Sequence, residues 1–134
     1  MVDIYMPDIK YGNSATAHRY SLIRDYVTVN QSAVKEMHRQ VGDLILDATG
    51  IARRGLLIRH LVLPGMLDET KLVLAFIARE ISRNSYLNLM DQYHPCYRAE
   101  DHPPLNRALH WGEYQQVLAM AKRYGLPRLD TLKR

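Results

Sequence analysis

The sequence predicts an α/β fold with three parallel strands, outer helices and one β-hairpin. Three apolar segments carry this reading: Val2–Lys10, Leu56–Leu63 and Leu87–Tyr93. Each is followed by a stretch in which apolar residues recur at helical spacing. A Thr49-Gly50 step between Leu44–Asp47 and Ile51-Ala52 adds the hairpin. All three strand segments end in polar residues, and ligands of parallel α/β sheets gather where strands end.

The first strand alternates, with Val2, Ile4, Met6, Asp8 and Lys10 on one face and Asp3, Tyr5, Pro7 and Ile9 on the other. Gly12 and Asn13 stop it. Asn13 or Ser14 caps a short helix to about Arg24, and Asn30 is a second cap, ahead of Val34, Met37 and Val41. Gly42 ends that helix. The second strand, Leu56–Leu63, is apolar on both faces, as strands buried on both sides are. Pro64-Gly65 ends it. Asp68 caps a helix with the stripe Leu74, Ile77, Ala78 and Ile81. After the third strand comes a long loop, His94–Asn106, and long loops are often functional. The last helix is Glu113–Tyr124, closed by Gly125-Leu126-Pro127. Residues 1–126 are expected to form the domain and 127–134 a loose tail.

A chain of 134 residues makes one domain at most, and 47% hydrophobic residues argue against disorder. No apolar run approaches the roughly 18 residues of a spanning helix, so no membrane partner is expected. The first residues carry acids where a secretory signal is basic. Cys96 is the single cysteine, which excludes an internal disulfide and gives a cytoplasmic location as the expectation. The formal charge is +4, but the arginines are scattered rather than clustered, so no nucleic-acid partner is expected.

Asp8 and Lys10 share a face at a strand end. They read either as a pair for the polar ends of a zwitterionic or ribose-bearing ligand or as a local salt bridge. Arg59 lies in an apolar strand, where a lone charge is costly. Its planar fork of donors suits a carboxylate, either a ligand's or that of an internal Asp such as Asp91. By alternation His60 points the other way, toward a covering helix. Asn88, Met90, Gln92 and His94 form one face of the third strand, with a structural hydrogen bond as the rival reading of Asn88. The spacing of His94, Cys96, His102 and His110 matches no common zinc pattern, so no metal site of the chain's own is expected. There is no Gly-rich phosphate loop and no nucleophile elbow.

The stretches YMPDIKY (Tyr5–Tyr11), GLLIRHLVLPG (Gly55–Gly65) and YLNLMDQYHPCYRA (Tyr86–Ala99) resemble the C-terminal half of a radical S-adenosylmethionine protein of the pyruvate formate-lyase activating enzyme-like group. The segment EMHRQVGDLILDATGIARRG (Glu36–Gly55) resembles that group's helix and hairpin before its fifth strand. The likeness runs in order to about Leu126. It implies half of a partial (β/α)6 TIM-like barrel, strands four to six. In the family a CxxxCxxC loop holds a 4Fe–4S cluster, and S-adenosylmethionine chelates the iron that the cysteines leave open. Reductive cleavage then gives a 5′-deoxyadenosyl radical, an oxidoreductase chemistry.

The resemblance places Asp8 and Lys10 near the cosubstrate and Met6 where a backbone carbonyl faces a cation. Arg59 falls where an arginine reaches the cosubstrate's carboxylate. Strand alternation, not the resemblance, sets Gln92 with Asp8, Lys10 and Arg59 at one end of the sheet on its concave side. The resemblance matches His94 to a histidine of strand six, although DQYHP departs from the usual pattern there. No CxxxCxxC occurs, so the chain alone cannot hold the cluster and is expected to be inactive by itself. The expected partner is the missing N-terminal half-barrel, as a split subunit or lost sequence, or else a second copy. Two readings of other classes stand beside this one: a non-enzymatic α/β interaction module, with a homodimer that pairs exposed edges as one form of it, and a small doubly wound domain that binds an anionic metabolite.

Overall fold

The computed structural model describes residues 3–12, 26–91 and 107–129. In chain order these form β1 (Ile4–Tyr5), α1 (Tyr26–Val41), β2 (Ile45–Leu46), β3 (Ala52–Leu61), α2 (Leu67–Phe76), a π-helical turn (Ile77–Ile81), β4 (Tyr86–Met90) and α3 (Trp111–Arg123). The sheet is mixed. β3 lies in the middle, with β1 parallel on one side and β4 parallel on the other, and β2 antiparallel to its first residues. The hairpin and the order of the three parallel segments therefore stand as the sequence suggests. The first segment is shorter than expected, with two paired residues and then an isolated bridge from Asp8 to Arg59.

β2 and β4 share one edge of β3. The Leu56 amide donates to the Gly42 carbonyl and the Val62 amide to the Met90 carbonyl, and even-numbered amides of a strand point the same way. This crowding requires Gly55. Its φ is +118°, and an added Cβ would lie 2.3 Å from the Asp43 carbonyl oxygen. Gly12 solves a similar problem where the chain leaves the first strand: a Cβ there would lie 2.4 Å from the Leu72 Cβ.

The even residues of β3, Leu56, Ile58, His60 and Val62, are buried, as are Leu87 and Leu89 of β4. Val34 and Val41 of α1, Val73 and Leu74 of α2, and Val117 and Ala121 of α3 join them in one core. Each fully buried aliphatic side chain of this kind contributes roughly 1.5–3 kcal/mol. Burial on both faces of the middle strand, as its continuous apolarity suggests, is not what forms. Leu57, Arg59 and Leu61 are only half-buried, because the helix layer covers the even face. Apolarity alone does not report which face meets the helices.

Helix boundaries also move. The expected helix from Asn13 or Ser14 to Arg24 lies outside the described residues. Asn30 is not a cap but sits inside α1, whose described residues begin at Tyr26, and Tyr26 and Val27 pack against Tyr11 and Met66. Asp68 falls in the first turn of α2, and Met66 takes the capping position. The expected stripe continues from α2 into the π-helical turn, closed by the Ser82 amide donating to the Ile77 carbonyl at 2.9 Å. Glu113 fastens the start of α3. It accepts from both Arg107 Nη atoms at 2.7 and 3.2 Å, from the Gly65 amide at 2.7 Å and from the His110 amide at 3.0 Å. Chiefly through Arg107, these donors hold its carboxyl at about 2.

Candidate functional site

Register builds a polar row across the three parallel strands. Asp8 lies opposite Arg59, and Arg59 lies opposite Asn88. Residues opposite one another in a ladder share a face, so all three point away from the helix layer. Neighbouring rows are apolar: Leu57 faces Tyr86 on one side and Leu61 faces Met90 on the other. An anion, a cation and an amide thus sit side by side near the strand C-termini.

Asp8, not Asp91, is the carboxylate near Arg59. Its Oδ1 is 3.6 Å from Arg59 Nε, and both side chains are about half exposed, at 50% and 39%. At that exposure and distance the pair adds little to stability. Arg59 Nη2 meets the Met90 sulfur at 3.6 Å, a weak acceptor. Neither contact satisfies the guanidinium fully, so its donors remain available to a stronger acceptor.

The backbone around Asp8 is held from behind. The Asp8 carbonyl accepts from Asn30 Nδ2 at 3.0 Å and from the Tyr26 hydroxyl at 3.5 Å. The Lys10 amide donates to that same hydroxyl at 2.8 Å. Burial raises the Tyr26 hydroxyl above its usual range and keeps it protonated. Lys10 itself is exposed, two residues beyond Asp8. Gln92 and His94 lie outside the described residues, as do Cys96 and His102, so the row gathers Asp8, Arg59 and Asn88. Sequence reading missed the supporting roles of Tyr26 and Asn30. A polar side chain within a helix signals nothing until the strand beside it is known.

His60 points to the other face, as alternation predicts. It is 2% exposed, with Nδ1 2.6 Å from the Ile9 carbonyl and Nε2 2.9 Å from the Thr70 hydroxyl. Both ring nitrogens are occupied, so it serves the core. A groove between α2 and α3, lined by Asp68, Lys71, Met120, Arg123 and Tyr124, lies in the helix layer and includes none of the row. Among the described residues there is no group of three or more His, Cys, Asp or Glu side chains arranged to hold a metal ion, and no helix long and apolar enough to cross a membrane.

No family model matches the chain, and no solved structure does. A curated relative does: the chain is 32% identical over 127 residues to an uncharacterized protein of Methanocaldococcus jannaschii, MJ0674. The match covers 94% of this chain and 33% of that protein, so the chain spans about one third of the length of the relative to which it is similar.

Proposed function

We propose that this chain is the cosubstrate-facing half of a radical S-adenosylmethionine-type barrel and acts only together with polypeptide that carries the iron–sulfur cluster. The observation that carries the reading is the Asp8–Arg59–Asn88 row on the half-buried face, at the strand ends. In a half-barrel this face is the inner wall. The incomplete cover of Leu57, Arg59 and Leu61 agrees with a wall that awaits its other half. The threefold greater length of the archaeal relative agrees with a larger whole.

The donor sets separate the two groups that the resemblance implies. A 4Fe–4S cluster needs several thiolates, and Cys96 is the single cysteine, so these residues do not fit a cluster and none is assigned to them. The row does fit S-adenosylmethionine. Arg59 offers a guanidinium to the carboxylate of its amino-acid end, and Asp8 offers a carboxylate to the ammonium or a ribose hydroxyl. Lys10, at the same end of the sheet, adds positive charge beside a polar ligand. These residues bind and orient. We further read the protein as cytoplasmic, from its one cysteine.

The test is a chimera in which this chain replaces its aligned segment of the archaeal relative, reconstituted without oxygen with iron and sulfide. Formation of 5′-deoxyadenosine under reducing conditions is the expected result, and Arg59→Ala in the chimera should abolish it. A reconstituted chimera with no iron–sulfur absorption overturns the reading.

A further inference from the structure

Asn88 is 7% exposed, yet among the described residues its amide has no hydrogen-bond partner. Among the described residues the fully enclosed side-chain atoms without a partner are Asn30 Oδ1 and Ser85 Oγ, so the unpaired Asn88 amide keeps an opening to the surface, where a ligand can reach it. Its neighbours in β4, Leu87 and Leu89, are 1% and 3% exposed on the helix face. Asn88 therefore points to the opposite face, across from Arg59.

The guanidinium is already turned toward β4. Arg59 Nη2 is 3.6 Å from the sulfur of Met90, which stands two residues beyond Asn88 on the same face. Nε is turned toward β1, 3.6 Å from Asp8 Oδ1. An oxyanion set between Nη2 and the Asn88 amide would receive donors from both residues in place of a thioether contact.

We infer that Asn88 is a specificity residue of the row, donating its side-chain N–H to the carboxylate of a ligand's zwitterionic α-amino-acid group while Arg59 neutralises that carboxylate. Asp8, at the other end of the row, receives the ammonium. The order of the row, anion then cation then neutral donor, matches the two charges of such a group and fixes which way round it lies. A neutral amide suits its position, because a second cation there would crowd Arg59 and a carboxylate would repel the ligand. This assignment rests on the S-adenosylmethionine reading above.

The test uses the full chain, labelled with nitrogen-15 and titrated in turn with S-adenosylhomocysteine and with 5′-methylthioadenosine, which lacks the amino-acid end. The Asn88 side-chain amide signals are identified by their disappearance in Asn88→Leu, a variant of similar volume. S-adenosylhomocysteine should move these signals and 5′-methylthioadenosine should leave them in place. Asn88→Leu should weaken S-adenosylhomocysteine binding by about tenfold or more, as loss of a hydrogen bond to a charged group does. It should leave 5′-methylthioadenosine binding unchanged and should not lower the melting temperature, since no internal bond is lost. Normal S-adenosylhomocysteine affinity with a lowered melting temperature would make Asn88 a structural residue and overturn the inference, leaving the cosubstrate reading intact. Failure of the unsubstituted chain to bind either compound overturns this inference, while the cosubstrate reading stands or falls by the chimera.

Discussion

A histidine set in the middle of a buried strand must place two ring nitrogens without water, and His60 does so between a strand carbonyl and a helix hydroxyl. Burial pushes its pKa below the usual 6.5, and the bond to the Ile9 carbonyl acts weakly the other way. The sign of the pH dependence follows. As pH falls through about 6.5 the unfolded chain takes up a proton that the folded imidazole refuses, so the unfolded state binds more protons and stability drops. This contribution is complete above the unfolded pKa and declines toward the folded one. Melting temperatures measured from about pH 7.5 down to about pH 5.5 should fall, and His60→Gln should flatten that dependence. An equal slope in the variant would assign the effect to other groups. At this scale the sequence was readable where alternation decides: it set Arg59 and His60 on opposite faces. It offered Asp91 as the internal carboxylate for Arg59, where the structure puts Asp8. That choice depends on the register between strands some fifty residues apart in the chain, which no local pattern records.

Strands and helices were legible as kinds and less so as boundaries. The hairpin was found from Thr49-Gly50, and its tip is held by Asp47, whose Oδ1 accepts from the Thr49 amide at 2.9 Å and the Ile51 amide at 3.0 Å. Asn30 does not cap α1 because it lies inside the helix, with its side-chain amide turned to the Asp8 carbonyl, and Tyr26 packs on Tyr11 with ring centroids 5.6 Å apart. The π-helical turn has no simple sequence signature. Gly55 is the position on which the hairpin's union with β3 depends. Gly55→Ala forces a side chain into positive φ, at about 1–3 kcal/mol for the backbone alone, and drives its Cβ onto the Asp43 carbonyl. Urea unfolding should show a loss larger than that backbone value. Gly50→Ala is the control: its φ is +83°, but nothing lies within 4 Å of the added Cβ, so it should show the conformational cost without the collision. Equal losses in the two variants would mean that Asp43 moves aside freely.

For the molecule as a whole, sequence gave the α/β class and the parallel order but not the asymmetry of the sheet. Leu57 and Leu61 look as core-like as Ile58, and only the placement of three helices on one side tells them apart. The row was partly legible, since two of its residues stood out as charges in apolar strands. Its third member, Asn88, acquires meaning only once its lack of an internal partner is seen. The contacts behind Asp8 have a different consequence, for solubility. Among the described residues β1 lies at the border of the sheet, and a free border invites another chain to add on, layer after layer. Asp3 and Pro7 give their carbonyls to β3, so the Asp8 carbonyl and the Lys10 amide face outward, where Asn30 and Tyr26 occupy them. The helix thereby blocks the upper part of a template for aggregation. Removing that guard with Tyr26→Phe and Asn30→Ala together should leave α1 in place while concentrated solutions scatter light and bind amyloid dyes sooner than the unsubstituted chain. Unchanged scattering would show that the border is protected by something other than this helix. Selection for a chain that stays dispersed would then act on Tyr26 and Asn30, two residues that touch the polar row only through its backbone.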